Sequence, residues 1–262
     1  MPEGHTIHRI ARDHRKFFSG ERIAFSSPQG RFAEGAKKIH RRPLQNVDAY
    51  GKHLFYEFSS RRYLHIHLGL YGKFNTRRLP MPAPRGAIRL RAIGERHGFD
   101  LRGPNQCELI DGKQYRAITD RLGPDPLRDD ADRNRAWERI SKSRTPIGGL
   151  LLNQAVISGI GNVYRAELLF ETKIDPHRKG CDITQPEFEQ LWKLMLRWLP
   201  LGVRTNRIIT ADAKQLGKTP ATLLQSERLL IYKKNNCLDC GASVIRAALA
   251  NRTIYYCKRC QH

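Results

Sequence analysis

The chain has 262 residues, enough for two compact units with cores of their own. Lysine and arginine total 47 against 25 acidic residues, a formal charge of +22, which opposes self-association and selects a polyanion as partner. No run of about eighteen apolar residues exists, so no bilayer-spanning helix is expected. Charged residues from Arg9 to Lys16 interrupt the start, so no secretory signal is expected there.

The chain is therefore expected to be cytoplasmic and monomeric. Nucleic acid is the expected partner, with affinity that falls steeply as salt rises. A membrane surface or a ribosomal location would also suit the charge.

The chain starts Met1-Pro2-Glu3-Gly4. An initiator Met before Pro is normally trimmed, which leaves Pro2 with a free secondary amine. Such an amine attacks a carbonyl carbon and forms an iminium, as a lysine does in a Schiff base. Glu3 beside it is a carboxyl placed to move protons around the adduct. Pro-Glu at a terminus is also common without any chemistry.

Residues 4–19 read as a helix, because Ile7, Ile10, Ala11, His14, Phe17 and Phe18 fall near one face and Gly20 stops it. Pro2 and Glu3 then sit just ahead of its positive end. From residue 21 to 111 the pattern is β, with strands predicted at 22–25, 53–58, 63–68, 87–93, 98–102 and 107–110. Their spacing predicts a small antiparallel sandwich or barrel. His65-Ile66-His67 places two imidazoles on one strand face, which suits a metal or two solvated polar side chains. Residues 113–122 read as a short helix. The acidic, proline-rich stretch 123–132 reads as a linker.

Beyond it the periodicity is helical, with helices predicted at 133–142, 146–155, 163–171 and 186–199, and a fifth after Leu201. Gly159 and Gly161 allow close backbone approach. Asn162 is placed to cap the next helix, or to mark a helix N-terminus whose free amides take phosphate.

Four of the six cysteines lie in the last 26 residues. Cys237-x-x-Cys240 and Cys257-x-x-Cys260 are sixteen residues apart and predict a tetrahedral thiolate site for one structural zinc. Four thiolates leave no open position for water, so this metal is not expected to be catalytic. Arg246, Arg252, Lys258 and Arg259 decorate the ribbon.

Together these pieces resemble the bacterial formamidopyrimidine-DNA glycosylase and endonuclease VIII family of base-excision repair enzymes. The resemblance rests on Met1-Pro2-Glu3-Gly4, Gly51-Lys52-His53-Leu54 and Gly123-Pro124-Asp125-Pro126-Leu127. It continues through Leu152-Asn153-Gln154-Ala155, Gly159-Ile160-Gly161-Asn162 and the terminal cysteine ribbon. It spans nearly the whole chain.

It implies an α+β multidomain fold: an N-terminal helix with an antiparallel β-sandwich (1–123), a helix-two-turn-helix domain (133–228) and a zinc ribbon (229–262). It implies a bifunctional DNA glycosylase and abasic-site lyase acting on damaged double-stranded DNA. In that likeness Pro2 attacks C1′ of the sugar and Glu3 transfers protons. Lys52 holds phosphate and assists the first elimination, Arg252 the second. Asn162 and, less directly, Arg121 contact the backbone.

The opening Pro-Glu-Gly looks like endonuclease VIII and points to oxidised pyrimidines. The Gln-Leu-Tyr wedge of that branch is here Gly69-Leu70-Tyr71, so its first position differs. The rival readings are an oxidised-purine glycosylase, an abasic-site lyase with little glycosylase power, and a non-enzymatic DNA-binding module.

Overall fold

The computed structural model describes residues 2–262, less the side chain of Ser60. Contacts divide the described residues into two units, one of residues 7–121 with residues 2 and 3, the other of 122–262 with residues 4–6.

The first unit contains α1 (Gly4–Phe18) from Ile7 onward, its opening residues 4–6 counting with the second unit, and β1 (Ala24–Ser26), α2 (Ala33–Ile39), β2 (Leu44–Tyr50), β3 (His53–Phe58), β4 (Arg62–His67), β5 (Lys73–Arg78), β6 (Ile88–Ile93), β7 (His97–Arg102), β8 (Gln106–Asp111) and α3 (Gly112–Thr119). The strands form two four-stranded antiparallel sheets, ordered β1-β6-β7-β5 and β2-β3-β4-β8. The sandwich reading holds. The core joins Ile7, Ala11 and Phe18 of α1 to Leu54, Tyr56 and Phe58 of β3 and Leu64 and Ile66 of β4.

His14 is buried in that core. It meets the Tyr56 hydroxyl at 2.6 Å and Thr76 Oγ1 at 2.8 Å, and stacks on Phe99. Both ring nitrogens have partners, so a polar residue on the apolar stripe is tolerated.

The sequence pattern missed α2, β2 and β5. The α2 segment is one short run with a glycine inside it. β5 carries one apolar residue, Phe74, and exists through its pairing with β7. Tertiary pairing overrides weak propensity there.

The second unit contains α4 (Arg133–Ser141), α5 (Ile147–Leu150), α6 (Asn162–Glu171), α7 (Gln185–Thr205) and the hairpin β9 (Ile245–Leu249) and β10 (Arg252–Tyr256). α7 begins on Thr184 with a capping box through Glu187 and buries Phe188, Leu191, Trp192, Met195 and Trp198. It runs through Pro200 to Thr205, so no separate helix starts after Leu201. Asn206, at φ 57°, ends it in the left-handed conformation. The helix expected over 146–155 is one turn long. The chain then turns on Asn153, whose side chain accepts from the Ala155 amide at 3.0 Å.

The stretch read as a linker is packed at its start. Gly123 to Pro126 are buried. The Gly123 amide donates to Gln154 O at 2.8 Å and Pro124 O accepts from the Ser158 amide at 3.0 Å. Prolines fix the backbone in a form whose carbonyls serve the neighbouring turn.

Candidate DNA-repair site

In the first unit, Glu3 precedes α1 in extended conformation and is fully buried, and Pro2 is half-buried before it. The pair therefore stands at the positive end of a fifteen-residue helix, as its sequence position predicts. Lys52 lies in the two-residue turn between β2 and β3, where Tyr50 pairs with His53.

Around Lys52 the sheet assembles groups that the linear sequence separates. His53 pairs across the strands with His67, and His65 with Glu108. His53 Nδ1 lies 2.9 Å from His65 Nε2, and His65 Nδ1 lies 2.9 Å from Glu108 Oε1. Burial first, then His65, His67, Arg121 and Lys52, push the His53 pKa down to about 3. His67 is lowered by burial, by His65 and by Lys52. Lys52 and Arg121 thus act on one patch with His53 and His67. Only Lys52 and Arg121 were expected there. The signal for the histidines was the Lys52-His53 adjacency, but strand register was needed to add residues 65, 67 and 108.

Leu70 and Tyr71 are 47% and 84% exposed in the turn after β4. Large apolar groups held in water are consistent with a stacking or wedging surface. Gly69 adopts φ +63°, and a Cβ there would come within 2.9 Å of Asn105 Cβ. A glutamine at this position is disfavoured by backbone and by space.

In the second unit, Gln154 organises the turn before α6. Its side chain donates to Leu152 O and Ile160 O and accepts from the Gly159 amide. Gly159 O accepts from the Gly4 amide at 2.8 Å, and a Cβ on Gly4 would meet Gly159 Cα at 2.8 Å. The close approach anticipated at Gly159 is to Gly4.

Asn162 does not cap α6. Gly161 is the N-cap, and Asn162 is the first helical residue and buried. Its side-chain nitrogen donates to Thr253 O at 2.9 Å and its oxygen accepts from Arg165 at 2.5 Å. Arg165 is fully buried and also donates to Gly148 O and Leu249 O. These bonds tie α6 to both strands of the hairpin. Arg252 opens β10, exposed, directly after a turn in which Ala250 and Asn251 take φ 53° and 57°. Arg165 was not singled out from sequence, where it reads as one more cation.

Glu167, also on α6, is buried and accepts from Thr210 Oγ1 and from the amides of Leu230, Ile231 and Tyr232. Burial raises its pKa, against the pull of those donors. It pins the chain entering the cysteine ribbon.

The ligand atoms of Cys237, Cys240, Cys257 and Cys260 all lie within 4.8 Å of one another. Two of their Sγ–Sγ separations are 3.8 Å and 3.5 Å. A tetrahedron with metal–sulfur bonds of about 2.3 Å has edges of about 3.8 Å. The donor set fits a structural metal. Among the described residues it is the one group of three or more His, Cys, Asp or Glu so arranged, and His65 and His67 are not part of a second. Among them no helix is long and apolar enough to cross a membrane.

Residues 1–107 match the formamidopyrimidine-DNA glycosylase N-terminal domain and residues 122–214 the formamidopyrimidine-DNA glycosylase H2TH domain. The chain is 44% identical over 267 residues to Endonuclease 8 1 of Mycobacterium tuberculosis, covering 100% of each. It is 30% identical over 246 residues to the formamidopyrimidine-DNA glycosylase of Thermomicrobium roseum, covering 86% of this chain and 84% of that one. The fold is similar to that of the Lactococcus lactis Fpg in complex with abasic-site DNA, with a TM-score of 0.81 at 22% identity over 99% of each chain. The chain belongs to the formamidopyrimidine-DNA glycosylase and endonuclease VIII family of DNA-repair enzymes.

Proposed function

We propose that this protein is a bifunctional DNA glycosylase and abasic-site lyase acting on oxidised bases, pyrimidines foremost, in double-stranded DNA. The observation that carries the reading is the Pro2–Glu3 pair, a secondary amine beside a fully buried carboxyl at the start of α1.

The damaged nucleotide is turned out of the duplex. The Pro2 nitrogen attacks C1′ and the bond from C1′ to the base breaks, the base leaving with a proton. Glu3 supplies and removes protons at the sugar as the ring opens. The resulting iminium acidifies the C2′ proton. Its loss expels the 3′ phosphate, a second elimination expels the 5′ phosphate, and hydrolysis of the iminium frees Pro2. Lys52 holds phosphate and assists the first elimination, and Arg252 assists the second. Arg121 and Asn162 serve the flanking backbone, and Leu70 and Tyr71 fill the space the flipped base leaves.

One zinc ion held by Cys237, Cys240, Cys257 and Cys260 stabilises the ribbon. The catalytic module is 1–123, followed by the helix-two-turn-helix module 133–228 and the ribbon 229–262. The protein acts as a cytoplasmic monomer. Pro-Glu-Gly at the start and the Leu70-Tyr71 pair support the pyrimidine branch by likeness.

Borohydride reduction in the presence of damaged DNA tests the reading. Met-trimmed protein should give a covalent adduct mapping to Pro2 with abasic and oxidised-pyrimidine DNA, and less with oxidised-guanine DNA. A residue added before Pro2 should abolish trapping. Trapping that survives this addition overturns the role of Pro2, and a preference for oxidised guanine overturns the branch.

A further inference from the structure

The sheet β2-β3-β4-β8 has two ends, and strand register defines both. Tyr50, His53, His67 and Gln106 form the row at the end that carries Lys52 and leads on to Leu70 and Tyr71. Leu44, Phe58, Arg62 and Asp111 form the row at the other end. Along β3 the rows are separated by the run from His53 to Phe58, about 17 Å of strand.

The second end is cationic. Arg41 and Arg42 lead into β2, Arg61 and Arg62 turn β3 into β4, and Lys113 and Arg116 lie on α3 straight after β8. All of them are exposed. Gly112 draws two of these segments together: a Cβ on it would sit 3.5 Å from Arg61 Cβ and 3.9 Å from Arg116 Nη1. Exposed arginines on α1 are neutralised, Arg12 by Asp13 at 2.8 Å and Arg15 by Asp48 at 3.2 Å. Among the described residues none of the cations at the second end makes an ion pair. Two acids at this end are engaged otherwise: Asp111 caps α3, and Glu57 accepts from the Tyr63 hydroxyl.

The backbone adds an independent observation. Arg41 and Arg61 take φ 54° and 51°, in the turns after α2 and after β3. That left-handed conformation is strained for a residue with a Cβ and easy for glycine. Two turns at one end thus keep a cation where glycine would relieve the backbone, which points to a use for the side chain.

Unpaired like charges repel one another, and a polyanion relieves the repulsion. A duplex engaged at the Lys52 end does not supply it by lying along the sheet. Glu57 and Glu108 stand on the face between the two rows, beside Tyr63 and His65, and would meet its phosphates.

We propose that this second end is a contact site for a further stretch of double-stranded DNA, held by its phosphates while the Lys52 end engages another. Such contacts position the protein and read neither sequence nor lesion. They keep the enzyme on DNA as its site passes from one segment to the next. The choice of DNA as the polyanion rests on the DNA-repair reading; the surface itself lies outside the lyase chemistry.

The test uses the whole, metal-loaded protein and a short undamaged duplex of about twelve base pairs, about 40 Å long. Native mass spectrometry at low salt counts the duplexes bound. Wild type should bind two, and the triple variant Arg42→Glu, Arg61→Glu, Arg62→Glu should bind one. The weaker of the two wild-type affinities should fall with salt at a log–log slope of about 3, as three or four phosphate contacts require. The glycine variants Arg41→Gly and Arg61→Gly serve if charge reversal disturbs folding. Each should equal or exceed wild type in urea denaturation and still weaken the second duplex severalfold. Nicking of short abasic DNA should be unchanged in the triple variant.

One duplex on wild type overturns the proposal. So does a second duplex retained by the triple variant, or phosphatidylglycerol vesicles bound at this end where a second duplex is not. Nicking lost in the triple variant places these arginines in the lyase footprint and also overturns it. Failure of borohydride trapping with two duplexes still bound would overturn the lyase reading and leave this one.

Discussion

The side-chain nitrogen of Asn162, in the first turn of α6, donates to the main-chain carbonyl of Thr253, 2.9 Å away on the strand that begins with Arg252. Arg165 adds bonds to Asn162 and to the Leu249 carbonyl on the partner strand. The exposed Arg252 is thereby mounted on a hairpin clamped from beneath.

Arg165→Ala leaves buried carbonyls without a donor and opens space in the second unit. A cost of about 3 kcal/mol is expected, with about 1 kcal/mol for Asn162→Ala. Urea denaturation measures both. Product analysis of cleaved abasic DNA should show the second elimination falling more than the first in Arg165→Ala. Wild-type stability in that variant would show that the clamp is not formed in solution.

Leu70 and Tyr71 are exposed, so Leu70→Ala and Tyr71→Ala should change stability by less than about 0.5 kcal/mol. Excision from duplex DNA should still fall, by about tenfold, because unstacking loses its compensation. Gly69→Gln should destabilise by about 1–2 kcal/mol through its left-handed backbone and the contact with Asn105. Equal excision rates for wild type and both alanine variants would remove the wedge role.

Folding should be acid-sensitive well above the carboxylate range. His14 and His53 are both lowered to about 3, and His65 and His67 are lowered too, chiefly by burial. Below about pH 6.5 the unfolded chain takes protons that the folded chain refuses. Their contribution is complete above that pH and is lost as pH falls, for His14 and His53 down toward 3 at on the order of 1 kcal/mol per pH unit each. Denaturation at pH 8, 7, 6 and 5 measures the slope, and His14→Gln should reduce it. Constant stability across this range would contradict the buried neutral histidines.

Metal removal should loosen the ribbon. Cys237 and Cys257 belong to a small core with Ile254, Ile231 and Phe170, too small to hold the hairpin alone. Metal analysis should find one ion per chain, and chelation should raise amide exchange over 237–262 and weaken DNA binding. Full affinity in the metal-free protein would separate the ribbon from DNA contact.

Local pattern determined much of this protein. The apolar stripe of α1, β3 at 53–58, and the cysteine spacing are short-range signals, since neighbours in sequence decide them. The placing of Pro2 and Glu3 just ahead of α1 was legible for the same reason, whereas the turn that carries Lys52 was not, because β2 has no strand pattern of its own. The tertiary structure alone decided what depends on register and burial. β5 has too little apolar alternation to declare itself, and α7 passes through Pro200 because packing outweighs one missing hydrogen bond. Asn162 is typed as a cap by composition, yet its side chain is claimed by a carbonyl 91 residues away. His53, His65 and Glu108 meet only because three strands bring residues 12 and 43 apart side by side. A hydrogen-bonded chain across strands has no signature along one of them.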